Sequence, residues 1–544
     1  MGDIYKNAEC VHAWLGLSTK AIVDAMLLLK GLEAAIDPAK FEALRKVYGD
    51  ELSADEAEIS IDETSEDEIA EDETSDDITP EKELSHGEKM MDNEETDDDV
   101  GWRIVKLFIE DADHREKWVA LFDIYNRPYW KRLWIVQEYL LGKRTLIHIG
   151  LCVIDDLVFA KIRKEVGFYC MSSPLSKATA VPLGLVDGPD NPMNSFLLSS
   201  KKLVHYKSDH QPLGLLDALK GHRLQLYSEP RDIVYALLGL CDAITQKSFP
   251  VDYSIELGEL FKRTAWYIIE SSKSLDILKE CHEKSDCYCC KDQIPLLDLP
   301  SWVPDWRCRA TIRGLEGIST SALSWPREGR AEASLRREVL SCRGLLLEAI
   351  DTLLSPAPDD QTDHFAMFKA VFNFVINVLD GLNLPQESEN VRRVHKMAYR
   401  SVISGGRPSF LGYITAKDFT TLIMGSSDGR FLLEYVAKFS EKKKRAIHAL
   451  GLCLHGLSLF TCTMILPPSP RPENVLDALV LGVCVKSLRK GDNIAILYGC
   501  KGAMTLRTDV LAPGLVKVLG PVYLPSYSAG KVLGDFEERD FELS

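Results

Sequence analysis

The chain lacks the features that direct a protein into the secretory pathway. Its first ten residues, MGDIYKNAEC, contain no basic region followed by an apolar run, which a signal peptide requires. Fourteen cysteines are scattered over 544 residues without the dense spacing of a disulfide framework. Both absences indicate a reducing compartment, and we expect the protein to be intracellular and cytoplasmic.

Long uninterrupted hydrophobic runs are also missing. The best candidate for a membrane span is ALGLCLHGLSLFTCTMIL, residues 449–466, which is just long enough to cross a bilayer. This run contains His455 and Ser458, and strand-forming residues dominate its second half. We therefore interpret it as buried core, and we expect no membrane partner.

The sequence has none of the signatures of several common activities. We find no glycine-rich phosphate loop, no Ser–His–Asp signature and no basic stripe with interleaved aromatic residues. These absences argue against ordinary nucleotide hydrolysis, serine hydrolysis and nucleic-acid binding. We therefore expect the chain to bind an unknown protein partner or to self-associate.

The cysteine pattern does not indicate a zinc site. The densest cluster is CHEKSDCYCC, with Cys281, His282, Cys287, Cys289 and Cys290. Structural zinc sites usually combine one pair of ligands two to four residues apart with a distant second pair. The spacing here does not match, and no second cluster lies nearby in the sequence. We expect a reduced loop, no metal site and no required cofactor.

Basic residues are almost absent from one segment. Residues 51–100 contain 23 Asp and Glu against two Lys, a net charge of −21. Since the whole chain carries −18, the remainder carries +3 and is nearly neutral. A segment so acidic and so poor in aromatics buries too little apolar surface to offset its ordering entropy. We predict a disordered insertion from about 50 to 100, either a decoy for basic partners or a tolerated surface insertion.

What is present indicates a core-forming protein of several domains. Hydrophobic residues make up 46% of the chain, and its length favours two to four domains. Over residues 1–170, strand-like runs such as VHAW and RTLIHI alternate with helix-like runs. One of these, YWKRLWIVQEYLLGK, is predicted to be a single helix closed by Gly142. Such alternation predicts an α/β layer.

The rest of the chain changes pattern twice. Residues 171–310 are predicted to be helical, because EPRDIVYALLGL and SIELGELFKRTAWYIIES place apolar residues at helical spacing. Residues 311–400 form a mixed α/β connecting region. Over 401–544, short strand-like runs are separated by Gly, Asp and Pro. This last pattern is typical of a small antiparallel sheet or barrel.

Five blocks follow one another in an order that is specific to one family. The blocks are MGDIYKNAECVHAWLG, YWKRLWIVQEYLLGKRTLIHIG, EPRDIVYALLGL, VDYSIELGELFKRTAWYII and LPSWVPDW. In this order and approximate spacing, the chain resembles the fungal heterokaryon incompatibility (HET) domain proteins. The tail, KGDNIAILYGCKGAMTLRTD with VKVLGPVYL, is similar to the region that often follows that domain. The resemblance implies a role in fungal non-self recognition and programmed cell death.

The resemblance also implies that the domain is incomplete. Family members carry an upstream strand-like block ending in Trp-Gly and a second block with a Cys-Ile-Asn-Gln run, and this sequence begins after both. We therefore expect a partial HET domain over 1–170 and its helical continuation over 171–310. A truncated gene model and a degenerate copy of the gene both account for the missing blocks.

The HET domain is distantly similar to the TIR fold, a flavodoxin-like α/β domain. The implied fold class is an incomplete TIR-like, flavodoxin-like α/β domain with a helical middle region and a β-rich C-terminal region. TIR enzymes that cleave NAD carry a tryptophan four residues before a catalytic glutamate, and Trp134 and Glu138 share this spacing. The resemblance thus implies NAD as a substrate, with Glu138 catalytic and Trp134, Lys131 and Arg132 binding the substrate.

The chemistry suits a carboxylate. Cleavage of the nicotinamide–ribose bond builds an oxocarbenium-like charge that a nearby carboxylate stabilises, and flanking cations suit phosphate groups. A structural alternative stands beside this hypothesis. Glu138 would then pair with Lys131, Arg132 or a nearby helix and anchor its own helix, while Trp130 and Trp134 would belong to the core. The alternative function is a non-catalytic recognition or signalling module, or a degenerate copy.

Four further residues are interpreted as structural. Arg231 and Asp232 are expected to form a structural pair, because Asp232 lies in the first turn of a predicted helix, where the helix dipole favours a carboxylate. Trp302 and Trp306 lie in DLPSWVPDWR, whose two prolines favour an extended, well-packed segment.

Overall fold

A computed structural model describes most of the chain outside the acidic segment. The described residues are 2–35, 127–156, 212–283, 297–308, 331–354, 366–385, 388–403, 414–425, 457–463, 479–485, 488–510, 512–524 and 538–544, with 116–117, 120, 123–124, 434–436, 438–439 and 447 between them. The predicted disordered insertion at about 50–100 lies outside these residues, and so do Cys287, Cys289 and Cys290.

The chain divides into two compact units. The first comprises Met1–Leu15, Tyr125–His148 and Cys170–Ser544, and the second comprises Gly16–Ile124 and Ile149–Tyr169. The elements of the N-terminal part, in chain order, are α1 (Gly2–Asn7), β1 (Val11–Trp14), α2 (Lys20–Ala35), α3 (Pro128–Lys131), α4 (Ile135–Leu141), β2 (Thr145–Ile149) and β3 (Cys152–Asp155).

Helix α2 and strand β3 belong to the second unit. Helix α2 begins after Thr19, whose hydroxyl oxygen accepts a hydrogen bond from the Ile22 amide at 3.3 Å. Among its described side chains, Ile22, Ala25 and Met26 are buried. The run STKAIVDAMLLLKGLEAAI predicts this helix, because its apolar residues recur at helical spacing, and the prediction is confirmed.

In the first unit, β1 and β2 pair in parallel. Val11 lies opposite Thr145 and Trp14 lies opposite His148. Residues alternate between a buried and an outer side, so Val11 and Ala13 are buried while His12 and Trp14 are exposed. Both strands were predicted from VHAW and RTLIHI, and both are confirmed.

The prediction of one continuous helix over YWKRLWIVQEYLLGK is wrong. The segment forms two short helices, α3 and α4, because Arg132 takes an extended conformation and forms a parallel bridge with Leu226. The Leu133 amide donates to the Leu226 carbonyl at 2.8 Å, and the Leu226 amide donates to the Lys131 carbonyl at 2.5 Å. This tertiary pairing overrides the local helical propensity.

The middle of the first unit is helical. It contains α5 (Leu215–Gly221), α6 (Asp232–Tyr235), a 3₁₀ turn (Leu238–Leu240), α7 (Ala243–Ser248), α8 (Leu257–Ser272) and a second 3₁₀ turn (Asp276–Glu280). Helix α8 buries Leu260, Phe261, Thr264 and Ile268 at the predicted helical spacing. The run EPRDIVYALLGL, expected to be one helix, is divided between α6 and the first 3₁₀ turn.

The C-terminal part of the first unit combines a large sheet with three helices. Its elements are β4 (Ser334–Arg336), β5 (Val339–Ala349), β6 (Thr352–Leu353), α9 (Ala366–Gly381), α10 (Ser388–Ile403), α11 (Ala416–Met424), β7 (Leu457–Thr463), β8 (Leu479–Val485), β9 (Asn493–Leu497), β10 (Ala503–Thr508), β11 (Leu515–Tyr523) and β12 (Glu538–Leu543). No helix among the described residues is long and apolar enough to cross a bilayer.

The pairing of these strands closes a ring. The sheet order is β10-β9-β5-β12-β11-β8-β7-β6, and β10 also pairs with β11. Strands β5, β9, β10, β11 and β12 therefore form a closed five-stranded circuit, from which β8, β7 and β6 extend. Helices α9, α10 and α11 share a hydrophobic core with the β7–β8 extension, to which Phe368, Phe374 and Phe419 contribute the largest side chains.

The ring depends on a close approach of backbones at Gly344. This residue of β5 pairs with Leu497 of β9 and Arg539 of β12, and a Cβ atom on it would lie 2.2 Å from the Ile496 carbonyl oxygen. Gly344→Ala should lower the free energy of unfolding by about 2–4 kcal/mol, because backbone must move to admit the methyl group. Gly381→Ala is the matched control, since its Cβ position has no described atom within 4 Å apart from its chain neighbours and the nearby backbone of its own helix. Equal stabilities of the two variants in urea unfolding would contradict this packing.

The helical layer contains a buried histidine that should make stability depend on pH. His395 of α10 is fully buried, neither ring nitrogen has a hydrogen-bond partner among the described residues, and burial lowers its pKa to about 4. The unfolded chain therefore binds more protons between pH 6.5 and 4, and stability falls as the pH drops through this window. The loss from His395 should reach roughly 3 kcal/mol at pH 4.

The measurement is urea unfolding at stepped pH. His395→Leu should flatten the dependence of the unfolding free energy on pH. A residual slope should remain from His222, whose pKa burial also lowers to about 4. If the unfolding free energies of the parent and the variant changed with pH in parallel, the His395 imidazole would not be the source of the pH dependence.

Candidate functional site

The carboxylate of Glu138 lies on the first turn of α4 and is half-buried. The hydroxyl of Tyr129, from α3, donates a hydrogen bond to Glu138 Oε2 at 3.3 Å. The break between α3 and α4 turns Tyr129 back towards Glu138, so the Arg132–Leu226 bridge shapes this contact. Glu138 is thus an oriented carboxylate beside a phenol.

A second phenol faces the same carboxylate. Tyr5 of α1 lies near Glu138, and burial, followed by the charge of Glu138, raises the pKa of Tyr5. The same two causes, with burial again the larger, raise the pKa of Tyr129 far above its ordinary value. Arg132 acts in the opposite direction on both phenols. Both hydroxyls therefore keep their protons at neutral pH, and the Tyr129 hydroxyl remains a donor to Glu138.

The indole of Trp134 points to a different partner. Its Nε1 donates to Asp232 Oδ2 at 2.9 Å, and the Tyr253 hydroxyl donates to Asp232 Oδ1 at 2.7 Å. Asp232 is 8% exposed, so both carboxylate oxygens are satisfied within a largely buried arrangement. Burial, and then the hydrogen bond to Asp232, raise the pKa of Tyr253 to about 12.

The two predicted phosphate-binding cations do not pair with the glutamate. In the part of the chain that the structure describes, neither Lys131 nor Arg132 forms an ion pair with Glu138. Their backbones hold Leu226 instead, while the Lys131 side chain is half-buried and the Arg132 side chain is exposed. The partner observed for Glu138 is the Tyr129 hydroxyl of the neighbouring helix α3, and the structural alternative stays a prediction.

Arg231 and Asp232 act through separate partners. The Arg231 guanidinium donates from Nε to the Ile255 carbonyl at 2.7 Å and contacts Glu229 Oε1 at 2.6 Å. Asp232 is instead bound by Trp134 and Tyr253. The two residues stabilise the same segment without pairing with each other.

Trp302 and Trp306 lie in the interior, each 1% exposed. Trp302 Nε1 donates to the Glu338 carbonyl at 2.8 Å. The Arg223 guanidinium lies 5.2 Å from the centroid of the Trp306 ring and is ion-paired with Glu280 at 3.1 Å. These contacts place both tryptophans in the packed interior.

Sequence reasoning missed Tyr5, Tyr129, Tyr253 and Gln137. The Gln137 side chain is buried on α4, and its Nε2 donates to the Ala236 carbonyl at 2.7 Å. A Cβ on Gly239 would lie 2.8 Å from Gln137 Cδ, so the glycine makes room for this amide. All three tyrosines belong to the family blocks quoted above. Their spacing in the sequence does not show that Tyr5 and Tyr129 lie beside Glu138 or that Tyr253 contacts Asp232.

The cysteine cluster is only partly described. His282 Nε2 lies 3.0 Å from Cys308 Sγ, a neighbour that the sequence did not indicate. Among the described residues, no group of three or more His, Cys, Asp or Glu side chains is arranged to hold a metal ion.

Comparison with known proteins gives one informative match. The chain is 24% identical over 291 residues to heterokaryon incompatibility protein 6, OR allele, of Neurospora crassa. The match covers 50% of this chain but 41% of the relative, so the chain spans about two fifths of the length of the curated relative it matches. No family model matches the chain, and no solved structure matches it. The match supports a distant relationship with the fungal heterokaryon incompatibility proteins.

Proposed function

We propose that the chain takes part in fungal heterokaryon incompatibility, as a protein of non-self recognition and programmed cell death. The observation that carries this proposal is the likeness over 291 residues to the Neurospora crassa protein. The order of the five blocks in the sequence supports the same role. The match covers 41% of the relative, so any role that the whole relative plays is only proposed for this chain.

The finer proposal is that Glu138 cleaves NAD. In this step the oxygen of water bonds to the ribose carbon as the bond to nicotinamide breaks. Nicotinamide leaves as a neutral molecule with the bonding electrons, and the water releases one proton to the solvent. The half-buried Glu138 carboxylate would stabilise the positive charge that develops on the ribose. The Tyr129 hydroxyl would hold that carboxylate in place, since it donates to Glu138 Oε2 at 3.3 Å.

A second candidate is a recognition or signalling module without catalysis. It is favoured by the observation that the hydrogen-bonding groups of the segment already have internal partners. Tyr129 binds Glu138, and the Trp134 indole is directed at Asp232. In this case the glutamate and the tryptophan brace α4 against its neighbours, and the protein acts by assembly.

Glu138→Gln distinguishes the two candidates. The substitution keeps the size of the side chain and an oxygen that accepts from Tyr129, but it removes the negative charge. If Glu138 is catalytic, release of nicotinamide from NAD should fall roughly a hundred- to ten-thousandfold. The melting temperature should stay within a few degrees.

Glu270→Gln is the matched control, because it makes the same chemical change at an exposed glutamate of α8. It should leave nicotinamide release unchanged. Equal activity of parent and Glu138→Gln would end the catalytic hypothesis. A parent protein that releases no nicotinamide but still triggers incompatibility in fungal cells would favour the recognition module. A parent protein that triggers no incompatibility in fungal cells would contradict the broader proposal.

A further inference from the structure

Two histidines touch on the outer side of the β1–β2 pair. His12 Nδ1 lies 2.7 Å from His148 Nε2, and the ring centroids are 4.9 Å apart. In the strand register, His12 lies opposite Leu146 and His148 lies opposite Trp14, so the two imidazoles meet on a diagonal. His12 is exposed and His148 is half-buried. This contact plays no part in the function proposed above.

The positions of the two rings are fixed by the sheet. The strands carry them on backbones that pair at four successive positions, although the residues are 136 apart in the chain. Val11, Ala13 and Ile147 are buried on the opposite side, so a shift of register would expose them. The imidazole nitrogens are therefore brought together by packing, before any ligand binds.

Two imidazole nitrogens directed at one point are ligands for borderline transition metals. Zinc binds imidazole nitrogen at about 2.0–2.1 Å, and tetrahedral geometry then places two such nitrogens about 3.3 Å apart. The observed 2.7 Å separation is a hydrogen bond between the rings, and a small side-chain rotation opens it to the metal-binding distance. We propose that His12 and His148 form a surface site for a divalent transition-metal ion such as Zn²⁺ or Cu²⁺.

The site has a defined chemical preference. Its two protein ligands are nitrogens, and water completes the coordination. Cu²⁺ binds most strongly, because it stands at the top of the stability order for nitrogen ligands. Mg²⁺ and Ca²⁺ do not bind, because they take oxygen ligands. A bound ion joins β1 to β2 and so stabilises the pairing of two segments that are distant in sequence.

The test is a Cu²⁺ titration followed by calorimetry and by tryptophan fluorescence. Trp14 is 56% exposed and lies opposite His148, so Cu²⁺ should quench its emission, and Trp14→Phe should remove that part of the signal. His12→Asn and His148→Asn should each weaken binding roughly a hundredfold, since the second ligand of a pair binds intramolecularly. His282→Asn, in another region of the fold, should leave binding unchanged.

Electron paramagnetic resonance of the Cu²⁺-loaded parent gives a readout that needs no variant. Hyperfine splitting from two imidazole nitrogens is expected. A spectrum with a single nitrogen ligand, or equal Cu²⁺ affinities of the parent and both histidine variants, would overturn the proposal. An absence of Cu²⁺ binding by the parent would do the same.

Discussion

The carboxylate of Asp232 connects the two parts of the chain on which the candidate site is built. It accepts one hydrogen bond from Trp134 and another from Tyr253, on separate oxygens. A carboxylate that is 8% exposed is costly to bury unless such donors replace water. Removing either donor would leave part of that cost unmet, so the two aromatic side chains are fixed in position together.

Helix α4 depends on this connection because it is too short to be stable alone. Seven residues make two turns, and isolated helices of that length are marginal in water. Three further contacts hold its segment against residues 226–239. These are the Arg132–Leu226 bridge, the Gln137–Ala236 hydrogen bond and the close approach at Gly239. Glu138 is therefore carried by a helix that tertiary contacts hold in place, and this rigidity is what either proposed role requires.

Local sequence patterns predict individual helices and strands, but they do not predict which of these come into contact. Helices α2 and α8 and strands β1 and β2 followed from apolar periodicity, because each buries one side of a regular element. The break at Arg132 could not be foreseen, since its cause is Leu226, more than ninety residues later. For the same reason the tyrosines around Glu138 were missed. Strand β5 was assigned to a connecting region, yet it pairs with β9 and β12 near the end of the chain. The TIR-like topology stays a prediction.

The most direct test of this account is a double-mutant cycle on the indole–carboxylate hydrogen bond. Trp134→Phe removes the donor, Asp232→Ala removes the acceptor, and the free energy of unfolding is measured for the parent, both single variants and the double variant. The account predicts a coupling energy of about 1.5–3 kcal/mol, the range for hydrogen bonds to charged groups. Additivity within about 0.5 kcal/mol would contradict it, because residues that do not interact behave in that way.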